Sequence, residues 1–153
     1  MKKPGLNMNI VPMTLKKANA FVDMYHRHNK HCRGCKFCLG LMHDDELVGV
    51  AICGRPVARN LDNGFTLEIL RVCIKDTAPK GANSKLYARC KKIGQSMGYQ
   101  KIITYTLKSE SQCSLRAVSA HVDADVKPDN WNRPSRKRIH QPVYKQEKIR
   151  WSL

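Results

Sequence analysis

The run Thr66-Leu-Glu-Ile-Leu-Arg-Val-Cys-Ile74 leads through Lys75-Asp-Thr-Ala-Pro-Lys-Gly-Ala-Asn-Ser84 to Lys101-Ile-Ile-Thr-Tyr-Thr-Leu107. The first run is apolar on both faces except for Glu68 and Arg71, the pattern of a strand buried within a sheet. Beyond the polar loop, Leu86, Cys90, Ile93 and Met97 fall on one face of a helix spanning about residues 84–97. Asn83 or Ser84 can cap that helix, and Gly98 stands at its natural stop. The Lys101–Leu107 run is again β-rich. Strand, helix and strand in this order form a crossover unit if the two strands are parallel neighbours in one sheet.

The rest of the chain fits around this unit. Leu15, Ala18, Phe21 or Val22, and Tyr25 recur at helical spacing, with Thr14 as N-cap. Phe37–His43 and Glu46–Gly54 read as strands joined by the acidic turn Asp44-Asp45. A short helix is expected over 114–120 and a last strand over 148–151. The pattern is α+β with one central sheet. A single domain is expected, with its core over about 9–126 and a basic, proline-containing segment over 127–153.

The chain has 153 residues, 28 Lys and Arg against 12 Asp and Glu, and a net charge of +16. At 42% hydrophobic residues it is not a disordered basic tail. No apolar run approaches the roughly 18 residues of a membrane span, and no secretory signal is apparent. Seven cysteines, an odd number, read as reduced thiols of a cytoplasmic protein. The charge is uneven. Residues 1–38 carry eight basic and one acidic side chain, and 127–153 carry eight and two, whereas 39–126 carry twelve and nine. Such ends suit a polyanion, nucleic acid above all, or are simply solvated surface.

Four segments can carry chemistry. The Lys75–Ser84 turn precedes a helix N-terminus, where free amides and the dipole attract phosphate, though neither a Walker nor a GxGxxG pattern is present. His26, His28, His31, Cys32, Cys35 and Cys38 cluster at spacings that can bind zinc or iron, but Cys38 lies within a strand as a small hydrophobe would. Metal binding by His26, His28, Cys32 and Cys35 is the minority reading. Arg55 and Arg59 share a loop suited to phosphate, and Trp131, Arg133 and Arg136 place an aromatic beside basic residues, as single-strand or flipped-base contacts do. Glu68, in an apolar strand, is either paired with Arg71 or acts as an acid or base.

Several stretches resemble the phage and prophage proteins related to the Mom DNA-modification protein, a family similar in fold to the GNAT acyltransferases. They are Tyr25-His-Arg-His-Asn-Lys30, Gly34-Cys-Lys-Phe37, Val50-Ala-Ile-Cys-Gly-Arg-Pro-Val-Ala-Arg59, Leu67-Glu-Ile-Leu-Arg-Val-Cys73, Asn83-Ser-Lys-Leu-Tyr87 and Gly98-Tyr-Gln-Lys-Ile-Ile-Thr-Tyr-Thr-Leu107. The resemblance spans about 14–120, with echoes over 131–135 and at Arg150-Trp151.

It implies a GNAT-like mixed, twisted sheet flanked by helices, with acetyl-CoA or another acyl-CoA held where two central strands splay apart. By position, Val72 and Cys73 would meet the pantetheine arm, and Gly81, Asn83 and Ser84 the pyrophosphate. The glycine-rich GNAT signature itself is absent from this loop. Glu68 would be the general base, with His26 and His28 as further catalytic candidates, since family members ordinarily lack the three clustered cysteines. The implied activity is transfer to a nucleobase, adenine, in DNA to evade restriction, with Arg55, Arg59, Trp131, Arg133 and Arg136 on the nucleic acid. Competing expectations are an N-acetyltransferase acting on a small amine or protein, and a non-enzymatic DNA-binding module.

Overall fold

The computed structural model describes residues 7–25, 32–108, 111–127 and 147–153. In chain order the elements are β1 (Met8–Met13), α1 (Leu15–Tyr25), β2 (Phe37–His43), β3 (Glu46–Gly54), a 3₁₀ turn (Arg59–Leu61), β4 (Thr66–Ile74), α2 (Ala82–Ser96), β5 (Lys101–Leu107), α3 (Cys113–Ala117), β6 (His121–Val126) and β7 (Lys148–Ser152). They build one seven-stranded sheet ordered β1-β2-β3-β4-β5-β7-β6. All neighbours are antiparallel except β4 and β5, which run parallel. The expected α+β class and mixed sheet are present.

Local chemistry explains the elements. Thr14 caps α1, its Oγ1 accepting the Lys17 N–H at 3.3 Å, and Ala18, Phe21 and Val22 turn inward. Asp44 and Asp45 both take positive φ, the two-residue turn whose twist matches that of the strands it joins. The α2 helix begins two residues before the expected start. Gly81, in the left-handed region at φ 90°, occupies the N-cap in place of Asn83 or Ser84, and Gly98 ends the helix with φ 99°. The third helix is shorter than expected and stops before Ser119, whose φ is 60°.

Two strands differ from expectation. Pro12 and Asn9 disguise β1, which among the described residues pairs only with β2; a proline that breaks a central strand is tolerated at an edge. Charge disguises β6, the opposite edge, where Asp123 falls at a register shift. The boundary drawn at residue 126 also cuts through the core. Strand β7 lies between β5 and β6, and Ile149 and Trp151 are buried.

The core lies on both sides of the sheet. Leu67, Ile69, Leu86, Cys90 and Ile102 pack on the α2 side, while Ala18, Phe21, Val22, Val50, Ile52 and Cys73 pack on the α1 side. Leu115, Ile149 and Trp151 form a third group near α3. Helix α2 comes close to the sheet at Gly94, where a Cβ would meet Ile102 Cδ1 at 2.8 Å and Leu67 Cδ2 at 2.9 Å.

Candidate active site

The parallel pairing of β4 with β5 is short. It joins Thr66–Ile69 to Lys101–Thr104 and then stops. Past that point β4 stays with β3 as far as Ile74, while β5 follows β7 from Ile103 to Leu107. The two central strands fork. At the crotch Thr104 Oγ1 donates to the carbonyl of Ile69 at 3.1 Å. The β3–β4 register shifts between Ile52 and Cys53, so Leu70 is the extra residue of a bulge that bends β4 as the fork opens.

Glu68 lies next to the fork, opposite Gly54 on β3 and Ile103 on β5. It is 5% exposed. The Val57 N–H donates to its Oε1 at 3.1 Å. Burial pushes its carboxyl up to about 7, against the Val57 hydrogen bond and the positive charges of Arg71 and Lys148. Arg71 is thus part of the surroundings of Glu68, while its Nη1 donates to the Leu70 carbonyl at 2.6 Å. A carboxyl titrating near neutrality can take a proton from a nitrogen nucleophile at physiological pH.

Strands β5, β7 and β6 add groups that the sequence did not single out. Burial raises the Tyr105 hydroxyl, helped by the charge of Glu68 and opposed by a hydrogen bond with Arg150. Burial, then the charge of Arg71, lowers the Lys148 ammonium, and Glu68 opposes the change. Burial would raise the Asp123 carboxyl, but hydrogen bonds from Lys101 and Arg150 hold it below its ordinary value. Arg150 Nε donates to Asp123 Oδ2 at 2.6 Å and Lys101 Nζ to Oδ1 at 3.1 Å. The alternation of the Lys101–Leu107 run gave a signal for Tyr105, which shares a face with Ile103. Nothing local marked Lys148.

Val72 and Cys73 fall on the diverging part of β4, whose edge toward β5 has no strand partner among the described residues. Val72 packs with the α2-side core and Cys73 with the α1-side core, so what β4 offers the fork there is backbone. Gly81, Asn83 and Ser84 form the start of α2. Among the described residues no side chain caps it, and its first turn has no acidic residue, leaving the positive end of the helix open to an anion. Ser84 Oγ donates to the Ser114 carbonyl at 3.4 Å, tying α2 to α3. An open strand edge beside an uncapped helix start fits the pantetheine arm and pyrophosphate of a CoA ester.

The Arg55–Phe65 loop crosses Glu68 through the Val57 contact. Arg55 is engaged: its Nε and Nη2 donate to Asp62 Oδ2 at 2.9 and 2.7 Å. Arg59 opens the 3₁₀ turn and is exposed. His26, His28, Trp131, Arg133 and Arg136 lie outside the described residues. Cys32 is buried and Cys35 exposed, and among the described residues no three His, Cys, Asp or Glu side chains are grouped to hold a metal. No helix among them is long and apolar enough to cross a membrane.

The fold recurs in solved acetyltransferases. A polyamine N-acetyltransferase from Drosophila melanogaster is similar at TM-score 0.70 and 9% identity, covering 96% of this chain and 99% of its own. The ribosomal-protein-S18-alanine N-acetyltransferase of Escherichia coli gives 0.66 and 11%, over 95% and 92%. A Bacillus subtilis acetyltransferase in complex with CoA gives 0.63 and 15%, over 96% and 98%. At these identities the likeness establishes the fold, and the chain has the acetyltransferase fold. The model of the Mom protein family matches residues 7–115, and the chain belongs to that family. No curated protein matches its sequence.

Proposed function

We propose that the chain transfers an acyl-type group from a CoA thioester in the β4–β5 fork to a nucleobase of DNA, adenine being the expected base. The observation that carries this reading is the buried Glu68 carboxyl, raised to about 7, beside the fork and beneath a loop that carries two arginines. The thioester supplies an activated acyl carbon. Glu68 takes the proton released by the attacking amino nitrogen, and the Val57 amide holds the carboxylate in place.

The backbone of Val72 and Cys73 lines one side of the donor site, and Gly81, Asn83 and Ser84 meet the pyrophosphate. Arg59 holds the DNA backbone, joined by Arg55 if phosphate displaces Asp62 from it. A base inside a duplex is out of reach, so the target is flipped or single-stranded. Trp131, Arg133 and Arg136 are suited to stack on and grip such a strand, and His26 and His28 remain candidates for assisting proton transfer. Family membership and the +16 charge support DNA as the partner.

The test is mass spectrometry of nucleosides from the DNA of cells expressing the chain. A new adenine derivative is expected with the parent and not with Glu68→Gln. Unmodified DNA, alongside acetylation of a small amine by the purified protein, would overturn the nucleobase assignment. DNA binding should weaken steeply as salt rises.

A further inference from the structure

None of the seven cysteine thiols takes part in the proposed transfer, and they are not alike. Cys53 and Cys90 are buried on the α2 side, and burial and their mutual hydrogen bond hold the Cys53 thiol in its protonated form. Cys73 is buried and Cys113 is exposed. Cys35 and Cys38 are an exposed and a buried thiol three residues apart, and the Cys38 S–H donates to Cys35 Sγ at 3.6 Å.

The segment that carries them is fixed at two points. Asn19 clamps Cys32 from both sides, its Nδ2 donating to the Cys32 carbonyl and its Oδ1 accepting the Cys32 N–H, each at 2.8 Å. The Lys36 N–H donates to the Cys53 carbonyl at 2.7 Å, so the backbone between the two thiols is pinned to β3. The pinned backbone holds the two residues in place, with their sulfurs 3.6 Å apart. A side-chain rotation supplies the remaining approach needed for a covalent bond.

We propose that Cys35 and Cys38 are a dithiol modification site that takes up a low-molecular-weight disulfide of the glutathione type and closes to an intramolecular bond. Cys35, as thiolate, attacks one sulfur of the disulfide, forming a mixed disulfide and releasing one small thiol. Cys38 then loses its proton and attacks the Cys35 sulfur, releasing the second small thiol. Two protein thiols are oxidised and one small disulfide is reduced to two thiols. Burial and the contact with Cys35 raise the Cys38 thiol to about 12, so closure is the slower step and quickens with alkali. The site is beside the Glu68 strand pair: a Cβ on Gly54, the register partner of Glu68, would meet Cys35 Cα at 3.4 Å.

The test uses the full reduced chain incubated with oxidised glutathione, followed by intact mass and peptide mapping. Cys35 should be consumed about tenfold faster than the other exposed thiol, Cys113, as expected of a thiol with a hydrogen-bonded neighbour. A glutathione adduct on Cys35 should give way to a Cys35–Cys38 link, which dithiothreitol reverses. Cys38→Ala should arrest the reaction at the adduct, and Cys35→Ser, an exposed change, should abolish both species. Equal reactivity of Cys35 and Cys113, or an adduct as long-lived in the parent as in Cys38→Ala, would overturn the proposal.

Discussion

The backbone N–H of Val57 donates to Glu68 Oε1 at 3.1 Å, so a surface loop is fastened to the one buried carboxylate among the described residues. The same bond partly solvates the charged form of Glu68 and fixes where Arg55 and Arg59 stand relative to it. Loop position and carboxylate charge are therefore coupled.

Glu68→Gln should eliminate transfer while leaving binding of the CoA ester and DNA intact. In the parent, kcat/KM should rise with pH through about 7 and level off above it, because the carboxylate is the active form. A pH–rate profile without that step would remove Glu68 from the role.

The same substitution should stabilise the fold at alkaline pH. Folded Glu68 keeps its proton up to about 7, whereas in the unfolded chain it loses it near 4.5. Its contribution to stability is full below 4.5 and declines as pH rises to 7, because the folded state binds more protons across that window. Above pH 7 the buried charge costs about 3 kcal/mol, which Glu68→Gln relieves. Urea denaturation at pH 5 and pH 8 should show the variant's advantage growing with pH.

Gly81→Ala places a Cβ at φ 90°, a strain of about 1 kcal/mol. Calorimetry with a CoA ester should show weaker binding, since relaxation of that strain moves the amides at the start of α2.

Trp151 is 2% exposed, and its indole N–H donates to Thr106 Oγ1 at 3.0 Å. Trp151→Ala should cost about 3–5 kcal/mol. Trp151→Phe should cost less, near the 1–3 kcal/mol lost when a buried hydrogen-bonding group loses its partner. Thermal melts of both variants check the order.

Asn19→Asp separates the two halves of the Cys32 clamp. A carboxylate can still accept the Cys32 N–H but cannot donate to its carbonyl, so the variant should lose about 1–3 kcal/mol despite its nearly unchanged shape. Hydrogen exchange around Cys32 should quicken.

The sequence disclosed the elements whose periodicity is strong: α1, β2, β3, β4 and β5 match expectation residue for residue. Both edges were obscured because edge strands tolerate what inner strands do not, such as Pro12 in β1 and the two aspartates of β6. Glu68 was legible as a charge where charge does not belong. Its partners Val57 and Lys148 were not, because a backbone amide 11 residues away and a strand 80 residues away meet it only after folding. Gly81 replaced Asn83 and Ser84 at the cap because a glycine in the left-handed region turns the chain into α2 without a capping side chain.

Strand β7 follows β5 and β6 in the chain, yet it sits between them in the sheet. A chain emerging from the ribosome can assemble β1 to β5 and their helices, but it must hold the place beside β5 open until residue 152 is free. Among the described residues, His121–Val126 then joins the sheet only through β7. Completion of the fold is therefore a late, long-range event of the kind that slows folding. Until it occurs, Tyr105 lacks Arg150 and Thr106 lacks the Trp151 indole, so a nascent or truncated chain carries Glu68 without its finished surroundings.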